Sequence, residues 1–115
     1  MYELTKSMYP KKTIPKHFKA LNISNEVITD LKVDKLLQLP PIYLKQFQNK
    51  EIPKEKLEEK YFRVLEARGQ HLISLDYRGV ILVCGCKTYK HNDECPMPYL
   101  KKYMALKRHE IERYT

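Results

Sequence analysis

Val80-Ile81-Leu82-Val83-Cys84-Gly85-Cys86 decides the fold. Four consecutive β-branched or leucine residues predict a strand buried on both faces, the kind that runs inside a parallel sheet. A polar loop follows, Lys87 to Glu94 (KTYKHNDE), and it ends at Cys95-Pro96. Proline suits the first turn of a helix, where its missing N–H costs nothing. All three cysteines therefore fall between the carboxyl end of a strand and the start of a helix. Ligands bind there in α/β folds, because the helix start offers unpaired N–H groups and partial positive charge.

Working outward, Tyr77-Arg78-Gly79 turns the chain into this strand. Pro53 opens the clearest helix, with Leu57, Tyr61, Val64, Leu65, Arg68 and Leu72 on one stripe and Lys54, Glu55, Glu58 and Glu59 facing water. Gly69 breaks that helix or caps its first part. Pro40-Pro41 opens another through about Gln48, with Ile42, Leu44 and Phe47 for the core. Two short strands are predicted near the start, Tyr2 to Lys6 and Phe18 to Ser24, separated by a Pro10- and Pro15-broken loop over Met8 to His17. Asn25 to Leu39 fits helix or strand alike, with Asp34 placed to cap a turn before Leu36 and Leu37. A final helix is expected from Pro96 to about Tyr114, with Met97, Leu100, Met104 and Ile111 on one side. This pattern predicts a single α/β domain over residues 1–115. Its small, mostly parallel sheet of three to four strands is flanked by helices, Rossmann-like with a three-layer tendency.

The chain has 115 residues, 43% of them hydrophobic, with no Trp but nine Tyr and three Phe. That length suffices to bury roughly two-thirds of the unfolded surface. No run approaches the roughly 20 apolar residues of a membrane span, and MYELTKSMYPKK lacks a signal-peptide core, so a cytoplasmic protein is expected. Three cysteines within twelve residues do not form the even, spread set of a disulfide-stapled secreted domain. Reduced thiols are expected.

The formal charge of +8 comes from 22 basic and 14 acidic residues and is shared by both halves of the chain. Lys6, Lys11, Lys12, Lys16 and Lys19 occur with no acid between Glu3 and Glu26, and Lys101, Lys102, Lys107 and Arg108 crowd the last helix. Such patches attract phosphates or nucleic acid; they also serve simply as a solvated coat. Candidate ligand-binding residues are Lys6 and Ser7, at the end of the first strand, with Lys87, Thr88, Lys90 and Lys101.

Cys84 and Cys86, two apart on a strand, point to one face, and Gly85 between them leaves room for close approach. Cys95 is placed at the helix N-cap, where nearby N–H groups, Lys87 and Lys90 would favour its thiolate. Cys95 with Cys86 is thus a candidate catalytic pair, while Cys84 reads as a small buried apolar residue. The alternative is metal. Cys84-x-Cys86-x4-His91-x3-Cys95 supplies the ligand set of a structural zinc site, one residue short at two spacings of the zinc-knuckle pattern C-x2-C-x4-H-x4-C. Without a metal, His91 is a polar loop residue. His17, His71 and His109 show no partner in sequence and are expected at surface or packing positions. Tyr99 and Tyr103, four apart beside lysines, suit base stacking or the edge of a core. The sequence holds no Gly-rich phosphate loop, paired-carboxylate motif or Ser–His–Asp arrangement.

Three stretches also resemble a family of small proteins known as domain of unknown function 488. Leu39-Pro40-Pro41-Ile42-Tyr43-Leu44-Lys45-Gln46-Phe47 looks like its "L-A-P-s-x-x-L-L-x-x-y/f" helix. Ile52 to Arg68 resembles its "I-x-x-x-x-y-x-x-x-Y-x-x-x-L" helix, and Val80 to Cys84 its "v-x-L-L-C" strand. Cys95 stands where that family opens its last helix with "C-H-R", but Pro96 and Met97 replace the histidine and arginine. The similarity covers about residues 36–105, and more faintly Tyr2 to Ser24. It implies a nucleotide- or anion-sized pocket in a Rossmann-like sheet. The leading expectation is a protein that binds a phosphate-bearing ligand, nucleotide or nucleic acid, at the Cys86/Cys95 end, with no cofactor and no membrane partner. A cysteine-dependent enzyme of sulfur or phosphoryl transfer comes second, and a protein–protein effector of mobile-element origin third.

Overall fold

A computed structural model of the chain describes residues 1–9, 13–28, 30–75 and 79–114. Lys11, Lys12 and the Tyr77-Arg78 part of the expected turn lie outside them. The apolar run forms β4 (Val80–Cys84), every residue of it buried. It is flanked in parallel by β1 (Tyr2–Thr5) and β2 (Lys19–Asn22), as its double-sided burial requires.

Two edge strands raise the sheet to five, all parallel, in the order β3-β2-β4-β1-β5. They are β3 (Lys32–Val33) and β5 (Glu112–Arg113), two exposed residues each. Strands this short carry no periodicity, which is why the sequence predicts only three or four. The expected last helix accordingly stops early. α4 runs Pro96–Leu106 and ends in a Schellman turn: Arg108 takes φ 65°, and His109 and Arg108 donate to the Met104 and Ala105 carbonyls at 2.8 and 3.0 Å. The chain then returns, buries Ile111 and pairs with β1.

Between β3 and β4 come α1 (Pro41–Gln48), α2 (Lys54–Ala67) and α3 (Gly69–Ser74). The first two begin beside the expected prolines, and the break falls at Gly69. Leu57, Tyr61 and Leu65 on α2 are fully buried, each aliphatic side chain worth about 1.5–3 kcal/mol over an exposed one. In the ambiguous stretch Asp34 does cap a turn, its Oδ1 accepting from the Leu36 and Leu37 amides at 3.0 and 3.3 Å.

The three-layer expectation needs correction. All four helices contribute to one core, with Leu82, Cys84 and Cys86 on that side of the sheet. The other face, built on Leu4, Ile81 and Val83, is covered by Met8, Tyr9, Ile14, Phe18, Leu31 and Tyr114, none of them in an α-helix. Thus the chain leaves β1 across the loop-covered face but leaves β4 across the helical face, although the two strands are neighbours. Connections that diverge in this way open a crevice at the strands' carboxyl ends. No helix among the described residues is long and apolar enough to cross a membrane.

Candidate metal centre at the carboxyl end of the sheet

Four donors meet at that end. Cys84 is the last residue of β4 and Cys86 follows Gly85 on the same, helix-facing side. Cys95 is the N-cap of α4, with extended φ and ψ of −80° and 130° and no side-chain capping bond. The loop between folds on itself through Asn92, whose Oδ1 accepts from the Glu94 amide at 2.9 Å and whose carbonyl accepts from Cys95 at 3.2 Å. Tyr99 pins it from α4, donating to the Asp93 carbonyl at 2.6 Å. This path carries His91 back over the strand end.

The three sulfurs and one imidazole nitrogen lie within 4.8 Å of one another. His91 Nδ1 is 3.5 Å from the sulfurs of both Cys84 and Cys95. A tetrahedral zinc ion with ordinary bond lengths separates its sulfurs by about 3.8 Å and sulfur from nitrogen by about 3.6 Å. The residues therefore fit one such ion. Cys84, Cys86 and Cys95 are 0, 8 and 5% exposed, so the donor set is enclosed, with a cavity of about 210 Å³ against Cys86 and Cys95. On the far side of the imidazole stands Glu3 of β1, whose Oε2 is 3.6 Å from His91 Nε2.

In the metal-free protein the thiols differ in acidity, and the order reverses the expectation for Cys95. A hydrogen bond from Cys95, against the opposing effect of burial, and another from His91 pull Cys84 down to about 5. The hydrogen bond with Cys84, burial and the neighbouring negative charge push the Cys95 thiol far up. His91 is raised to about 10, first by Cys84 and then by Glu3. The helix start does not make Cys95 the thiolate, because the sulfur beside it takes the negative charge first.

The expected ligand-binding residues divide. Lys87, Thr88 and Lys90 are exposed on the loop, the Thr88 hydroxyl accepting from the Lys90 amide. Ser7 donates to the Lys87 carbonyl, which ties the β1 loop to the cysteine loop. Lys6 pairs with Glu26 at 2.6 Å, and Lys101 with Glu3 at 3.0 Å. Along α4, Lys102 and Lys107 pair with Glu58 and Glu66, so much of that basic patch is neutralised. Tyr99 and Tyr103 belong to the core at 4% exposure, where no base can stack on them.

Sequence reasoning missed two carboxylate–histidine pairs. His71 has a partner after all, Asp34 Oδ2 at 2.8 Å; the two are too far apart in the chain for spacing to reveal it. Glu3 gave one usable sign, a charge between Tyr2 and Leu4 in an apolar strand. No protein-family model, curated protein or solved structure matches the chain.

Proposed function

We propose that this protein is a zinc-built binding module. Cys84, Cys86, His91 and Cys95 hold one zinc ion. The ion fixes the 85–95 loop on the sheet, and the loop offers Lys87, Thr88 and Lys90 to a phosphate-bearing ligand, nucleotide or nucleic acid. The observation that carries the reading is the convergence of four donors within 4.8 Å. Thiolates and imidazole select zinc over magnesium or calcium, and four protein ligands close the coordination sphere, as in a structural rather than a catalytic site. With its sulfur committed to the ion and its thiol otherwise hard to ionise, Cys95 makes a poor free nucleophile. Three thiols without a disulfide suit a reducing compartment such as the cytosol.

Native mass spectrometry of protein purified without chelator tests the metal, with one zinc per chain expected and its loss in Cys84→Ser. A chain that takes up no zinc when it is supplied overturns the proposal. The ligand half is tested by titrating the zinc-loaded protein with a duplex oligonucleotide over a range of salt. Each lysine–phosphate contact steepens the log–log salt dependence by about 0.9, so a Lys87→Ala/Lys90→Ala double variant should flatten it by about 1.8. Salt-independent or absent binding, to nucleotides as well as the duplex, removes the phosphate ligand and leaves the metal.

A further inference from the structure

Glu3 is only 1% exposed, although an ionised carboxylate resists burial unless it is paired. One of its oxygens is accounted for, since Oε1 accepts from Lys101 Nζ of α4 at 3.0 Å. Oε2 is buried without a hydrogen-bond partner, and so is Nε2 of His91. These two unpartnered atoms face each other at 3.6 Å, a few tenths of an ångström beyond a hydrogen bond. Their chemistries are complementary. The opposite ring nitrogen, Nδ1, faces the sulfurs, so when Nδ1 bonds a metal the imidazole proton resides on Nε2 and points at the carboxylate.

Position in the fold explains why the pair meets. Glu3 stands in register with Leu82 of β4, two residues before Cys84 and on the same side of the sheet. Lys101 comes from the helix that Cys95 caps. The residues flanking the centre are thus fixed by β1 on one side and α4 on the other.

We infer that Glu3, held by Lys101, is the positioning residue that fixes the ring orientation and tautomer of His91 for metal binding. The inference rests on the metal reading above. A carboxylate behind a ligating histidine raises ligand basicity and fixes the ring, and losing such a partner typically weakens metal binding 10–100-fold.

The test measures zinc affinity by chelator competition for the wild-type chain, Glu3→Gln and Glu3→Ala. It is accompanied by nitrogen-15 spectra of the His91 ring in the zinc-loaded wild type. The expected results are one zinc per chain throughout and affinity 10–100-fold lower in Glu3→Ala, with Glu3→Gln in between. The ring spectrum should show metal on Nδ1 and a slowly exchanging proton on Nε2. Equal affinities in the three chains overturn the inference, as does a wild-type ring metallated at Nε2, a readout that needs no variant to fold. Failure of the wild type to take up zinc overturns the metal reading itself, a different result from zinc uptake that ignores Glu3.

Discussion

Loading the centre with zinc should raise the melting temperature without creating the fold. An ion held there would join the end of β4 to the start of α4. The bulk of the interior, Leu57, Tyr61, Leu65, Ile81, Leu82 and Leu100, is fully buried through contacts of its own. A ligand that binds only the folded state stabilises it by about 2.7 kcal/mol at a free concentration 100 times its Kd. Unfolding a chain of 115 residues releases about 0.24 kcal/mol/K of entropy at about 2.1 cal/mol/K per residue, so that increment moves Tm by about 11 °C. All four donors lie between Cys84 and Cys95, so the unfolded segment keeps some affinity for zinc and trims the shift. The expected rise is about 5–11 °C, measured by calorimetry in zinc buffers with a non-thiol reductant. Cys84→Ser should show no zinc dependence. A wild-type Tm that ignores zinc refutes the centre; a metal-free chain with no cooperative melt refutes the claim that the core stands alone.

Tyr61, fully buried, donates to the Leu37 carbonyl. Tyr61→Phe leaves that acceptor unsatisfied and should cost about 1–3 kcal/mol, read as a shift in denaturant midpoint at constant slope. Asp34 serves two amides with one oxygen and His71 with the other, so Asp34→Ala should destabilise clearly more than Asp34→Asn, which keeps an acceptor for the turn; equal losses would contradict the capping role. Zinc uptake near pH 7 should release at least two protons, one from Cys95 and one from His91, as measured by titration calorimetry in buffers of different ionisation heat. In chelator, the lowered Cys84 adds stability as pH rises from about 5, while the raised His91 withdraws it from about 6.5 towards 10. Metal-free stability should therefore climb to about pH 6.5, hold to about 8.5, where an ordinary thiol titrates, and then fall. A steady climb through pH 9.5 would show that the two groups do not act as a pair.

How much was legible depended on how far apart the partners lie. Val80 to Cys84 announced a buried parallel strand because each residue's own chemistry demands it. The prolines at 40, 41, 53 and 96 marked helix starts because proline's covalent geometry acts locally. The end of α4 was hidden because Arg108 takes the left-handed conformation that glycine usually signals. Edge strands of two residues offered no pattern to read. The four clustered residues were visible as residue types, yet the knuckle spacing argued against a metal site, since that template needs its cysteines in a tight turn. Strand alternation does the same work here: with one residue between them, Cys84 and Cys86 reach the same side, and Gly85 follows directly on the strand end. Full burial at Cys84 is compatible with a place in the four-residue cluster.

The geometry gives Pro96 and Met97 a physical reason of their own, whatever the resemblance to the "C-H-R" pattern implies. The resemblance puts an anion-binding arginine at position 97, but Met97 is fully buried among the helix-side core residues, and Pro96 beside it is buried too. A guanidinium at that position would be placed among the helix-side hydrophobic side chains, a costly arrangement. Proline at 96 also removes one of the N–H groups that a helix start offers to an anion. The rim of the adjoining cavity carries Glu26 and Glu94 rather than lysines. The proposed phosphate recognition accordingly uses the exposed flank where Lys87, Thr88 and Lys90 stand rather than that mouth. Introducing arginine by Met97→Arg is accordingly expected to lower stability and leave oligonucleotide affinity unchanged, whereas Lys87→Ala/Lys90→Ala should lower the affinity and leave stability unchanged. Tighter binding by a well-folded Met97→Arg chain would return the ligand site to the helix start and displace the loop from its proposed role.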